Sequence, residues 1–380
     1  MNKIYVDHAA TTVIHPKVID QMMNVMSTTY GNPSSTHSFG RQARQLIDEA
    51  RDIMAKSINA TASEIIFTGS GTEADNLAIF GIADAYKENG RHIITTEIEH
   101  HAVLHACEYL ENQGFDVTYL PVDQTGRITT EAVRTALRDD TILVTIMYGN
   151  NEVGTIQPIK EIGELLANHQ AFFHTDAVQA FGLEKIDVKK LGINLLSVAA
   201  HKINGPKGIG FLYAERNVKL TSRIFGGDQE RKRRAGTENV PYIAGFGEAV
   251  TIVQQEREAR RIKYEKFKQI FMQILENNNV EFLRNGSIDY SLPHILNLSF
   301  PGANIEAILM NLDLVGIAVS SGSACTAGTI DPSHVLVAMF GKASERLQNS
   351  IRFSFGLNNT EEEIIQVAEE TAKIINRLVK

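Results

Sequence analysis

Between about residue 60 and residue 215, short apolar runs alternate with longer amphipathic ones, and few architectures accommodate that pattern. The runs EIIFTG (64–69), RHIITT (91–96), DVTYLP (116–121), TILVTIM (141–147), AFFHTD (171–176), NLLSVAA (194–200) and GIGFLYA (208–214) have the length and composition of strands. Helical patterns lie between several of them. In TEADNLAIFGIADAYKENG (72–90), Ala74, Leu77, Ala78, Phe80, Gly81, Ala85 and Tyr86 give a mostly apolar side, with Asp75, Asp84, Lys87 and Glu88 outside it. IKEIGELLANHQ (159–170) is a second such helix. The alternation predicts an α/β fold with a mainly parallel sheet covered on both faces. Sites in open sheets of this kind lie beyond the C-terminal strand ends. This chain sets polar residues there: Gly69–Thr72, Glu99–His101, Asn150–Asn151, Asp176–Gln179 and His201–Lys202.

Past residue 239 the texture changes. A long charged helical run, 242–278, connects to short strands, a helix near ANIEAILMNLDL (303–314) and a final amphipathic helix. The 380 residues exceed one ordinary core, so we expect a large domain over 13–258 and a smaller α+β domain made of 1–12 and 259–380. A net charge of -8 argues against a general nucleic-acid or acidic-membrane binder. Two cysteines cannot build a disulfide framework, which favours a reducing, cytoplasmic setting. Asp7 and His8 stand where a signal peptide needs an apolar run, and no stretch approaches the roughly 20 apolar residues of a membrane span.

Three motifs bear chemistry. GSGTEADN (69–76) sets small residues before a helix, with Thr72 as expected N-cap, and its N–H groups suit a phosphate; a simple capped helix start reads the same way. Asp176 of DAVQ follows an apolar strand, where an acid is either a turn residue or a partner for a protonated ring nitrogen. Lys202 of AAHKINGPKGIG sits between a strand and a Gly/Pro-rich turn, a place where its amine could be held for Schiff-base chemistry. Nucleotide motifs fit poorly: GxxxxGK[ST] is absent, and GPKGIG has the wrong spacing for the dinucleotide fingerprint. His101 and His105 lie four apart, yet without HExxH or a cysteine cluster no metal is expected.

The ordered set YVDHAATT (5–12), YGNPSSTHSFG (30–40), GTEADNLA, EHHAVL, NNEVGTIQPI, HTDAVQ, HKINGPKGIG, RRAGTEN, SSGSAC and SIRFSFG (350–356) resembles the NifS/IscS-type cysteine desulfurases. These are pyridoxal 5'-phosphate (PLP) enzymes of fold type I, in the class V aminotransferase group. The resemblance implies that Lys202 forms the Schiff base and shuttles protons. Asp176 would pair with the pyridine nitrogen, Gln179 and Asn151 would contact the ring hydroxyl, and His100 would stack on the ring. Gly71, Thr72 and His201 would hold the phosphate, joined by Thr237 of a neighbouring subunit in a homodimer. Arg352 would clamp the carboxylate of an L-cysteine substrate, Asn32 would lie near the site, and Cys325 would accept the sulfur.

SSGSAC (320–325) resembles the branch with a longer, flexible cysteine loop, so residues 322–334 are expected to be mobile. The implied acceptors are iron–sulfur scaffold proteins or tRNA-thiolation enzymes, with no direct contact to nucleic acid or membrane. One position departs: Ala199 stands where the family often has a hydroxyl residue on the phosphate, which implies weaker cofactor retention. Cys107, in an amphipathic run, reads as core, and ERKRRAG (230–236) as a subunit interface or phosphate edge. Another PLP enzyme of the same fold, an aminotransferase or selenocysteine lyase, and a non-enzymatic sulfur-transfer hub are the rival readings.

Overall fold

The computed structural model describes residues 3–321, 325–326, 329–330 and 332–379, the two short pairs by backbone alone. Its centre is a seven-stranded sheet of β1 (Ile65–Thr68), β2 (His92–Thr96), β3 (Asp116–Leu120), β4 (Thr141–Thr145), β5 (Phe172–Asp176), β6 (Leu195–Ala199) and β7 (Gly210–Ala214). The spatial order is β1-β7-β6-β5-β4-β2-β3. Pairing is parallel from β6 to β3, whereas β7 runs antiparallel to both β6 and β1. Residues 200–209 explain the reversal: a parallel return needs a crossover of about a dozen residues or more, usually a helix.

Neighbouring residues of each inner strand feed opposite cores, as the period of two requires. Leu196 and Phe211 join one cluster with Ile47, Phe246 and Val250. Leu195 and Leu212 join another with Leu77, Ile82 and Val103. Helices therefore cover both faces, and the inner strands read as continuous apolar runs. A third core gathers Phe267, Phe271, Leu298, Phe300, Phe353 and Val367, together with Ile4 and Val6 from the start of the chain. Its sheet is antiparallel, with Ile295–Ser299 between Leu283–Asn285 and Ser350–Ser354. The helix Val240–Asn277, 38 residues long, contributes Phe246 and Val250 to the first core and Phe267 and Phe271 to the third.

β1 lies at the sheet's edge, yet all four of its residues are buried. An unprotected strand edge invites pairing with another chain. Here a buried ion pair occupies it. Arg51 and Glu230 form two hydrogen bonds of 2.6 Å, Arg51 donates to the Ile65 carbonyl at 2.8 Å, and Glu230 accepts the Phe67 N–H at 3.0 Å. Both side chains are under 5% exposed, so neither charge has water to fall back on.

Removing one member strands the other. Arg51→Met should lower unfolding stability by about 3–5 kcal/mol, read from the denaturant midpoint. Arg138→Met, whose partners Asp116 and Asp140 are solvent-exposed, should cost no more than about 1 kcal/mol.

Candidate active site

Beyond the C-terminal ends of β5 and β6 lies a cleft with about 880 Å³ of atom-free space, its open mouth included. Gly71, Thr72, His100, Asn151, Asp176, Gln179, Ala199, His201, Lys202 and Arg352 all line it. The loops that follow five different strands thus converge on one place, as the strand-end rule predicts.

At one end the helix Gly71–Tyr86 begins. Ser70, not Thr72, is its N-cap: Ser70 is extended and its hydroxyl accepts the Glu73 N–H at 3.1 Å. Thr72 is therefore in the first turn, exposed beside the cleft. First-turn N–H groups and the helix dipole favour an anion at this end.

Asp176 closes β5 and is buried, accepting the Val178 N–H at 2.9 Å. Burial pushes its carboxyl pKa up, while the neighbouring His100 and Lys202 oppose that shift. Lys202 donates to the carbonyls of Ala9 and, at 2.9 Å, Ala10. Burial and then the Arg352 charge push its pKa down to about 8. His100 caps the helix His101–Glu111, its Nδ1 accepting the Ala102 N–H at 3.1 Å, which leaves the neutral ring's proton on Nε2. Packing around the ring lowers its pKa and Asp176 opposes this. His201 contacts the Thr11 hydroxyl at 3.2 Å, and burial followed by the Lys202 charge lowers its pKa to about 4.

Arg352 is the cation of the cleft's other end. It donates to Asp7 at 2.7 Å and to the Asn151 carbonyl at 2.9 Å, while its buried Nε has no hydrogen-bond partner among the described residues. Gln179 donates to the Ala9 carbonyl at 2.9 Å and meets His294 Nε2 at 3.1 Å. Asp7 and His294 were missed by sequence reasoning as contributors to the site. The YVDHAATT motif contained the signal for Asp7, but nothing local marks His294, which lies just before Ile295–Ser299 of the smaller antiparallel sheet.

Two expected residues do not line the cleft. Asn32 is exposed in a turn, where its side chain accepts the Ser34 N–H at 2.8 Å. Thr237 is exposed on the segment before the long helix. Cys325 lies in Cys325–Thr326, paired antiparallel with Thr329–Ile330, and its side chain is outside the described residues. So are residues 322–324, 327–328 and 331 of the segment expected to be mobile. That segment's end is helical rather than loop: Ser333 caps the helix His334–Phe340 and donates to the buried Glu152. Cys107 is core, as expected, and burial raises its thiol pKa. No group of three or more metal-ligating side chains able to hold a metal occurs among the described residues.

The chain matches the aminotransferase class-V family over residues 4–367. A Bacillus subtilis (strain 168) relative named IscS 1 is 61% identical over all of both chains. The cysteine desulfurase IscS of Clostridium botulinum (strain Hall) is 46% identical over 99% of this chain and 96% of its own. Among solved structures, a NifS-like protein superposes with a TM-score of 0.92 at 36% identity, covering 99% of this chain and 100% of that one. SspA in complex with cysteine gives 0.81 at 38% identity, covering 93% and 99%. The chain belongs to the class V aminotransferase family, with the fold of the fold-type I enzymes. Within that family it falls in the NifS/IscS-type cysteine desulfurase branch.

In the ligand-free chain the Lys202 amine should titrate near pH 8, against about 10.4 for a solvated lysine. Pulsed amine labelling across pH, read on the Lys202 peptide, measures this. Arg352→Gln should raise the midpoint and Asp176→Asn should lower it; a midpoint above 10 contradicts the cleft's electrostatics. Because the folded value is the lower one, this group's penalty on stability is full below pH 8. It fades as pH rises toward the unfolded value.

Proposed function

We propose that the chain is a cysteine desulfurase that holds PLP in this cleft and moves sulfur from L-cysteine to Cys325, leaving L-alanine. The observation that carries the reading is the meeting of Asp176, His100, Lys202 and Arg352 in one cleft whose far end is a helix N-terminus. Asp176 is a buried acid beside His100 and Lys202, whose carboxylate a protonated ring nitrogen would stabilise as its partner. Lys202 is an amine kept partly neutral near physiological pH, as Schiff-base formation requires. Gly71, Thr72 and His201 line the end where the phosphate would sit, and the donor set fits the cofactor.

When bound, the cofactor supplies an electron sink for charge released at the substrate Cα. Lys202 takes the Cα proton and returns one to the carbon skeleton. Arg352 orients the substrate carboxylate: it lines the cleft, and its guanidinium is fixed by Asp7 and the Asn151 carbonyl. His100 would lie against the ring, and Gln179, anchored by Ala9 and His294, together with Asn151 would hold it. The Cys325 thiolate attacks the substrate sulfur. A sulfur–sulfur bond forms and the Cβ–sulfur bond breaks; Cys325 sulfur is oxidised, Cβ is reduced and takes a proton. No further oxidant is needed.

The same proposal covers the assembly. Thr237 lies outside its own chain's cleft, which suits a homodimer in which it reaches the second copy's phosphate. The division into 13–258 and 1–12 with 259–380 follows the change of core along the long helix. A cytoplasmic setting and protein acceptors in iron–sulfur assembly or tRNA thiolation complete the reading. No helix among the described residues is long and apolar enough to cross a membrane.

The test is alanine production from L-cysteine with a thiol reductant present. Both Lys202→Ala and Cys325→Ser should abolish it, the first without the cofactor's visible absorbance and the second with it. Alanine formed undiminished by Cys325→Ser, or amino-group transfer to a keto acid instead, would turn the reading to another PLP reaction. Ala199→Ser should tighten PLP binding; an unchanged affinity removes the idea that the missing hydroxyl weakens retention.

A further inference from the structure

The segment that precedes Thr237 contains three consecutive non-glycine residues in the left-handed region. Glu230, Arg231 and Lys232 have φ of 48°, 57° and 66°. Bulky side chains rarely adopt that conformation, and a run of three persists only where surrounding contacts over-determine it. The Arg51–Glu230 pair does so at one end, riveting the segment to the edge of β1. Arg51 also lies over the Phe67 ring, 4.6 Å from its centroid.

At the segment's other end Arg234 reaches a different target. It donates to both Glu73 oxygens, at 2.8 and 3.2 Å. Glu73 in turn accepts the Gly69 N–H at 2.7 Å, and its own N–H goes to the Ser70 hydroxyl. Gly69 is packed beneath this pair: a Cβ there would stand 2.8 Å from Glu73 Oε2 and 3.7 Å from Arg234 Nη2. Ser70 and Thr72 line both the active-site cleft and the cavity walled by Glu73, Arg233 and Arg234.

We infer that Arg234 is a positioning residue for the phosphate end of the cleft, acting through Glu73 on the Gly69–Thr72 turn. The inference rests on the cofactor reading above. Its physical content is twofold. Glu73 ties down the turn whose N–H groups would face the phosphate, and it is itself a carboxylate in the same first turn, next to Thr72. Arg234 holds that carboxylate in place and cancels its charge, so the phosphate does not meet an uncompensated anion. The strained segment puts Arg234 within reach, and the Arg51–Glu230 rivet maintains the strain. The carboxylate keeps the Arg234 guanidinium strongly protonated, its pKa raised chiefly by the hydrogen bonds to Glu73.

The experiment is a binding titration of the full-length chain stripped of cofactor, with PLP and with pyridoxal, which has the same ring and aldehyde but no phosphate. Arg234→Met should weaken PLP binding about tenfold, the loss of one charged hydrogen bond, and leave pyridoxal binding unchanged. Adding Glu73→Gln should recover most of the lost affinity, because the uncompensated charge is gone. Removing the partner also relieves a merely structural pair, so the discriminating readout is the contrast between ligands: a structural arginine would weaken PLP and pyridoxal alike. Unchanged PLP affinity in Arg234→Met, an equal loss for PLP and pyridoxal, or no recovery in the double variant overturns the inference and leaves the cofactor reading standing. Wild-type chain that takes up no PLP overturns the cofactor reading, and the inference with it. If Arg234→Met loses its thermal transition, Arg234→Lys is titrated in its place. It keeps the charge without the two-pronged grip, and a loss smaller than tenfold and confined to PLP is expected; no loss, or an equal loss for pyridoxal, again overturns the inference.

Discussion

The amine of Lys202 sits where burial disfavours its charge, and the arrangement of the cleft follows from managing that cost. Two backbone carbonyls, of Ala9 and Ala10, accept from the amine, and Asp176 supplies the nearby negative charge. Arg352 pushes the other way. The result is a lysine poised between protonated and neutral forms, which an exposed lysine is not. Asp176 is held in the same balance from the opposite sign, raised by burial and lowered by His100 and Lys202. Such groups, perturbed together in one cleft, are the expected signature of chemistry at a strand-end site.

The start of the chain makes that balance possible by joining the two cores. Ile4 and Val6 belong to the core around Phe271 and Phe353, and Ile4–Tyr5 pairs with Ile317–Ala318. A few residues later Ala9 belongs to the core of the central sheet. Between them Asp7 holds Arg352, and the Tyr5 hydroxyl donates to the carbonyls of Asp7 and Thr11. One short segment thus delivers the acceptors for Lys202 and the anchor for Arg352. The relative positions of the amine and the guanidinium are fixed by a backbone that both cores grip.

Much of this was legible in the sequence, for identifiable reasons. Inner strands buried on both faces read as apolar runs, the half-buried edge strand Asp116–Leu120 as a short β-branched and aromatic one, so all seven of the central sheet were visible, and the long helix was visible by its length. Cleft residues such as Asp176, Gln179 and Lys202 follow strands directly, where local pattern and topology agree. Features set by contacts between distant segments were not legible. The reversal of β7 depends on the shortness of its connection, and the capping role of Ser70 depends on a backbone conformation that Thr72 could equally have claimed. Asn32 sits in a motif that reads as part of the site but forms a turn outside the cleft. The Arg51–Glu230 and Arg234–Glu73 pairs join residues far apart in the chain, so ERKRRAG read as a subunit interface or phosphate edge without its partners Arg51 and Glu73.

The central claim, that the cleft hands sulfur to Cys325, is tested most directly by the mass of the Cys325 peptide after brief exposure of the PLP-loaded chain to L-cysteine without reductant. A gain of one sulfur atom, absent in Lys202→Ala, is the result this account predicts. An unchanged mass, with alkylation showing the Cys325 thiol to be accessible, would contradict it.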